Sequence, residues 1–218
     1  MSLRVILDKI SLKKGYNLLI SNLNLEVRSG DAISLTGQNG VGKTTLLRAI
    51  AGFFSPHTGK ISASDAGGPI EPVRFRTEFT HYLGHQDALS PTRTTEQELR
   101  FQAQYLNANE NNYQFAVQYL NLSPLLDLET RLLSAGQKRR VSLARLLMAP
   151  RKLWLLDEPM SPLDIGQRDL AARLMQDHVS DGGIIIAAIH DRLPFETRTV
   201  HLTRPDISAQ EAALVDQD

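Results

Sequence analysis

The segment Gly37-Gln38-Asn39-Gly40-Val41-Gly42-Lys43-Thr44, followed by Thr45, carries the densest chemistry in the chain. The apolar run Ala32-Ile33-Ser34-Leu35 precedes it and Leu46 to Ala51 follows, so the loop joins a strand to a helix. Its glycines let main-chain N–H groups turn inward around β- and γ-phosphates, Lys43 adds a point charge there, and the Thr44 hydroxyl can ligate Mg²⁺. At average residue frequencies such a pattern arises by chance roughly a few times in 10⁵ positions. The spacing therefore predicts a nucleoside triphosphate as ligand.

A second group of residues would act on that ligand. Leu153-Trp154-Leu155-Leu156 ends in Asp157-Glu158-Pro159, which puts two carboxylates at the carboxyl end of a buried strand, where ligands gather in α/β sheets. Asp157 can hold Mg²⁺ through a water. Glu158 can accept a proton from, or orient, the water that attacks the γ-phosphorus. Taken alone the pair is also an ordinary acidic turn. Leu133-Ser134-Ala135-Gly136-Gln137 opens a helix from Lys138 to Met148, with Ser134 and Gln137 spaced as a capping box. A capped helix start beside Gly136 is equally an anion site. The basic run Lys138-Arg139-Arg140 reads as a solvated face rather than a nucleic-acid contact. Gln86 and His190 each follow a strand, where such residues are by themselves ordinary hydrogen-bonding groups.

The elements that must position these residues follow from periodicity. Residues 3–8 and 23–27 alternate apolar and polar side chains as half-buried strands do, and Ser29-Gly30-Asp31 turns into the strand before the phosphate loop. Further strands are expected at Gly59 to Ala63 and Phe79 to Leu83, separated by a turn at Asp65-Ala66-Gly67-Gly68-Pro69. From Thr94 to about residue 148 the period becomes helical. Leu153 to Asp157 and Gly183 to Ile189 are uninterrupted apolar runs, as parallel strands covered on both faces are, with a helix from about 166 to 179 between them. Strands alternating with helices predict a doubly wound α/β core.

At 218 residues and 42% hydrophobic, the chain suits one large core or one core with an inserted subdomain. Lys plus Arg and Asp plus Glu balance at 24 each, so charge points to no nucleic-acid or other partner. The absence of cysteine excludes disulfides and thiol chemistry and fits a reducing compartment. The N-terminus shows no export signal, and the longest strongly apolar segment, Ile184 to Ile189, falls far short of the ~20 residues that cross a bilayer.

In order and approximate spacing, Gly37 to Thr44, Gln86, Leu133 to Gln137, Asp157-Glu158, Ser161-Pro162-Leu163-Asp164 and His190 resemble the nucleotide-binding domain of ATP-binding cassette (ABC) transporters. The resemblance covers nearly the whole chain. It implies an α/β, P-loop NTPase fold of ABC type, with an N-terminal antiparallel β-subdomain and an inserted α-helical subdomain. Residues 1–218 would form a single ATPase domain, with core 1–86 and 149–205 and helical subdomain about 87–148. It also implies ATP and Mg²⁺ as cofactors and a head-to-tail homodimer, each ATP lying between one phosphate loop and the partner's signature helix.

Position by position, the resemblance makes Glu158 the catalytic base and has Gln86 sense Mg²⁺ and the attacking water. Ser134 and Gly136, with Gln137, would bind the partner's γ-phosphate, Asp164 would couple the two sites, and His190 would contact the γ-phosphate. Tyr16 would stack on adenine, although it lies a little closer to the following strand than the family's usual aromatic.

Tyr82-Leu83-Gly84-His85-Gln86, Ser134 to Gln137 with Arg139-Arg140-Val141, Leu143-Ala144-Arg145-Leu146 and Leu153 to Pro159 are similar to the ATP-binding export subunits of cytochrome c biogenesis. Against this closer resemblance, Pro162 before Asp164 departs from the pattern, and 64–78 and 191–218 find no match. The similarity implies haem handling and release of a haem-loaded chaperone, with integral membrane subunits of the CcmB and CcmC type. The chain would sit peripherally on the cytoplasmic face of the inner membrane, docked in a groove between Gln86 and the helical block. Leu89, Leu99 and Phe101 would supply anchors there or belong to the subdomain core. The alternatives are the ATPase of another ABC exporter, a soluble non-transport ABC ATPase, and a small-molecule kinase, which has no use for a second chain's signature helix.

Overall fold

The computed structural model describes residues 2–205; Met1 and the polar tail after Pro205 lie outside the described residues. Two long strands, β1 (Arg4–Lys14) and β2 (Asn17–Arg28), form an antiparallel ribbon that turns at Gly15-Tyr16. The strand β3 (Ala32–Thr36) then leads through the phosphate loop into α1 (Lys43–Ile50). β4 (Thr58–Asp65) and β5 (Gly68–Ile70) extend the first sheet, giving the order β2-β1-β4-β5. The turn expected over Asp65 to Pro69 is tighter than its composition indicates, because Gly68 and Pro69 already pair with Asp65 and Ser64.

A short α2 (Pro72–Arg74) runs into one π-helical turn (Phe75–Phe79), and β6 (Thr80–Leu83) enters the second sheet. The helical block comprises α3 (Thr95–Tyr105), α4 (Glu110–Tyr119) and α5 (Ala135–Met148), and is followed by β7 (Leu153–Asp157), α6 (Ile165–Ser180), β8 (Ile184–Ala188) and β9 (Arg198–His201). The second sheet is parallel throughout, in the order β6-β7-β8-β3-β9.

The uninterrupted apolar runs of β7 and β8 have a direct structural reason. Leu153, Leu155, Ile184 and Ile186 pack with α1 and the antiparallel sheet, while Trp154, Leu156, Ile185 and Ala187 pack with the helical block and α6. Alternate side chains thus enter two different cores, and each fully buried aliphatic residue contributes about 1.5–3 kcal/mol. The helical block closes over the second core through Leu99, Tyr113, Val117 and Leu133. Of the residues expected to serve as groove anchors or core, Leu99 is fully buried core, Leu89 is half-buried against that core, and Phe101 is exposed beneath the Arg93 guanidinium.

Candidate functional site

The phosphate loop is built for an anion. Gly42 is the N-cap of α1 with φ 113°, a left-handed conformation suited to glycine, and no side chain caps the helix. The first N–H groups of α1 are therefore left for a ligand. Lys43 is 7% exposed, and its Nζ donates to Gly37 O at 2.7 Å and Gln38 O at 3.3 Å, which holds the ammonium at the loop's mouth.

Thr44 Oγ1 donates to Asp157 Oδ1 at 3.1 Å, joining α1 to the end of β7. Asp157 is buried, and burial raises its pKa above the ordinary carboxylate value, against the Thr44 hydrogen bond. Its Oδ2 has no hydrogen-bond partner among the described residues. A hydroxyl and a buried carboxylate with a spare oxygen form a hard-oxygen donor set suited to Mg²⁺, which takes few protein ligands and leaves the rest to waters and phosphates. Among the described residues no cluster of three or more His, Cys, Asp or Glu could hold a metal by itself.

Glu158 follows with φ 50°, a left-handed backbone that costs a non-glycine residue on the order of 1–3 kcal/mol. Its N–H donates to Ala188 O at 2.9 Å. Two histidines flank its carboxylate: His190 Nε2 lies 2.9 Å from Oε1 and His85 Nδ1 3.5 Å from Oε2. Asn39, Gly40, Gly42 to Thr45, Asp157, Glu158, His190 and His85 line one cleft of about 760 Å³, together with Lys13, Lys14, Leu19, Arg48 and Phe54.

Other expected site residues stand elsewhere. Gln86 is exposed and lines a separate groove of about 340 Å³ with Asp87, Leu89, Arg131 and Lys138. Its neighbour His85 lines both that groove and the phosphate-loop cleft. Tyr16 is 79% exposed in the β1–β2 turn and is not among the cleft's lining residues. Ser134 caps α5 as the spacing predicts: its Oγ accepts from Gln137 N at 3.2 Å, and Gln137 Oε1 accepts from Ser134 N at 2.8 Å. A Cβ at Gly136 would come within 3.0 Å of Pro162 O and 2.5 Å of the flexible end of Gln167, so glycine there lets the start of α5 approach the Pro162 carbonyl. Asp164 caps α6, accepting from Gln167 N at 2.9 Å. Ser134, Gly136, Gln137 and Asp164 lie outside the phosphate-loop cleft of their own chain.

The basic run overturns its expected reading. Arg139 is 1% exposed, the bulkiest fully buried side chain among the described residues, and Arg140 donates to Leu120 O and Asn121 O. Arg139 is therefore not a solvated cation, and Arg140 is half-buried. The guanidinium of Arg139 reaches carbonyls at the ends of both β6 and β7, which no local pattern announces because its partners are main-chain atoms distant in sequence.

Comparison with known proteins agrees with this geometry. The ABC transporter family profile matches residues 20–161. The cytochrome c biogenesis ATP-binding export protein CcmA of Rhodopseudomonas palustris (strain BisB5) is 41% identical over 189 residues, covering 87% of this chain and 92% of that protein. CcmA of Bradyrhizobium diazoefficiens is 40% identical over the same shares of the two chains. Among solved structures, a putative ABC transporter ATP-binding protein from Pyrococcus furiosus superposes with TM-score 0.77 at 21% identity, over 91% of this chain and 97% of that one. A dimeric ATP-binding cassette in a post-hydrolysis state with ADP and Pi gives 0.78 at 21% identity, over 91% and 94%. A triphosphate loop facing Asp157 and Glu158 across one cleft is thus explained by descent: the chain belongs to the ABC transporter family, among the CcmA-type cytochrome c biogenesis ATP-binding export proteins.

Proposed function

We propose that this chain is the ATP-hydrolysing subunit of an ABC export complex serving cytochrome c maturation, where it powers haem handling and release of a haem-loaded chaperone. The observation that carries the assignment is the 41% identity to a CcmA protein over 87% of the chain. The cleft supports the chemistry. Lys43 and the N–H groups of α1 would hold the phosphates, and Thr44 and Asp157 would hold Mg²⁺, which supplies charge neutralisation for phosphoryl transfer. Glu158 accepts the proton of the attacking water while His190, 2.9 Å from Oε1, keeps the carboxylate turned into the cleft. The exposed ring of Tyr16, two residues beyond the cleft-lining Lys14, would offer a face for adenine, and Gln86 would sense Mg²⁺ and the attacking water.

The chain acts as one ABC domain, with 87–148 as its helical subdomain. Ser134, Gly136 and Gln137 stand outside their own chain's cleft, so they serve the phosphate bound by a second copy in a head-to-tail dimer, and Asp164 links the two sites. No helix among the described residues is long and apolar enough to cross a membrane. Attachment to the cytoplasmic face of the inner membrane therefore runs through integral subunits of the CcmB and CcmC type, docked in the groove between Gln86 and Leu89. Affinity capture of the tagged chain from detergent-solubilised membranes tests this. Recovery of such subunits supports the reading, and recovery of a different exporter's membrane subunits overturns it.

A further inference from the structure

Arg139 stands on α5, the helix that Ser134 caps, and buries a cation beneath two catalytic loops. Its Nη2 donates to the main-chain oxygens of Asp157 at 2.7 Å and Glu158 at 2.8 Å, and its Nε donates to Pro159 O at 3.3 Å. On the other edge of the fork, Nη1 donates to Gly84 O at 2.8 Å and Asp87 Oδ1 at 3.1 Å. Asp87 is itself fixed, since its Oδ1 also accepts from Ser142 Oγ at 3.0 Å and its carbonyl from Arg145 Nη2 at 2.9 Å. Burying a guanidinium carries a large desolvation cost that an apolar residue of similar volume would avoid. What the planar fork supplies instead is several rigidly arranged donors, which a lysine or glutamine cannot reproduce.

The geometry at Glu158 shows what those donors accomplish. That residue holds a left-handed backbone, φ 50°, anchored on one side by its N–H to Ala188 O and on the other by its carbonyl on Arg139. The direction of the Glu158 side chain follows from that backbone. Relaxation of φ would swing the carboxylate away from His190 and the cleft. We propose that Arg139 is a positioning residue for ATP hydrolysis: it clamps the Asp157–Glu158 carbonyls so that the Glu158 carboxylate stays aimed, and through Gly84 and Asp87 it locks the His85-Gln86 loop to the same clamp. The proposal rests on the reading of Glu158 as the base.

The test uses the full chain with Mg²⁺-ATP, comparing Arg139→Gln, Arg139→Lys, Glu158→Gln and the Arg139→Gln/Glu158→Gln double variant. Steady-state kcat and KM, affinity for a fluorescent ATP analogue, and melting temperature are measured for each. Because a misplacement of about 1 Å costs up to roughly 10²-fold, Arg139→Gln is expected to lower kcat about 10- to 100-fold with KM and analogue affinity within about threefold. In single-turnover assays the loss in the double variant should be smaller than the product of the two single losses, since much of the effect of Arg139 runs through Glu158. Multiplicative losses, or a folded Arg139→Gln chain with normal kcat, overturn the proposal. If Arg139→Gln does not fold, Arg139→Lys decides: it keeps the buried charge, and a kcat at least about fivefold down supports the clamp whereas a normal kcat removes it. Glu158→Gln at full turnover is a different failure, that of the base assignment itself.

Discussion

The Thr44 hydroxyl and Asp157 Oδ1 meet at 3.1 Å, while Asp157 Oδ2 stays buried without a partner among the described residues. The phosphate-loop helix is thereby tied to a carboxylate that its own fold leaves half satisfied. Burial raises the Asp157 pKa, so the ionised folded state is penalised at neutral pH relative to the unfolded chain. Asp157→Asn should therefore raise the melting temperature of the nucleotide-free chain, by about 2–4 °C for each kcal/mol relieved in a domain this size. The same change should remove most of the additional stabilisation that Mg²⁺ brings to the ATP-bound chain. Scanning calorimetry with ATP plus EDTA or Mg²⁺ checks both signs, and an unchanged Mg²⁺ increment would detach Asp157 from the metal.

Two histidines, the buried His81 and the half-buried His178, couple stability to pH. His81 donates from Nε2 to Ala149 O at 2.6 Å, and burial, aided by nearby Arg151, Arg145 and His178, lowers its pKa to about 3. His178 stacks on Trp154 at 3.7 Å, and burial lowers its pKa to about 4. Both folded values lie below the ordinary 6.5, so the unfolded chain binds more protons as pH falls. Stability is full above about pH 6.5 and is lost progressively toward pH 4. Melting temperature should decline from pH 7 to pH 5, and His81→Gln should flatten that slope while lowering the whole curve. A slope identical to that of the unaltered chain would place the titration elsewhere.

The phosphate loop, the two carboxylates and the Ser134 cap were legible because each depends on residues a few positions apart on one strand or helix start. The alternating sides of β7 and β8 were legible for the same reason. β5 and β9 were not: β5 has only Gly68, Pro69 and Ile70, and β9 (Arg198–His201) is a polar, largely exposed edge strand without apolar alternation. Arg139 was misread because a charged residue at a helix start has its usual place in water, and only the convergence of β6 and β7 supplies the carbonyls that bury it. The approach of His85 to Glu158 was not legible, because it depends on the turn after β6, from which His85 reaches the phosphate-loop cleft while Gln86 lines the neighbouring groove.

That groove gives a third expectation. Leu89 lines it, is half-buried against the helical core, and is not among the residues lining the phosphate-loop cleft. Leu89→Asp should reduce recovery of the chain with its membrane subunits by about tenfold or more, as loss of an apolar anchor does, while ATPase activity stays within a few-fold of normal. Circular dichroism establishes folding. A folded, active variant that still copurifies with its membrane partners would move the docking surface away from Leu89.

Glu158→Gln tests the central claim most directly, because it changes the proposed base while leaving the phosphate loop, Thr44 and Asp157 intact. Turnover of Mg²⁺-ATP should fall by about 10²–10⁴-fold with ATP still bound. Sedimentation at saturating ATP should then show a stable dimer, which Ser134→Arg in the same chain abolishes. Undiminished hydrolysis by Glu158→Gln would contradict the assignment of the base, and a chain that stays monomeric with ATP bound would contradict the two-chain site.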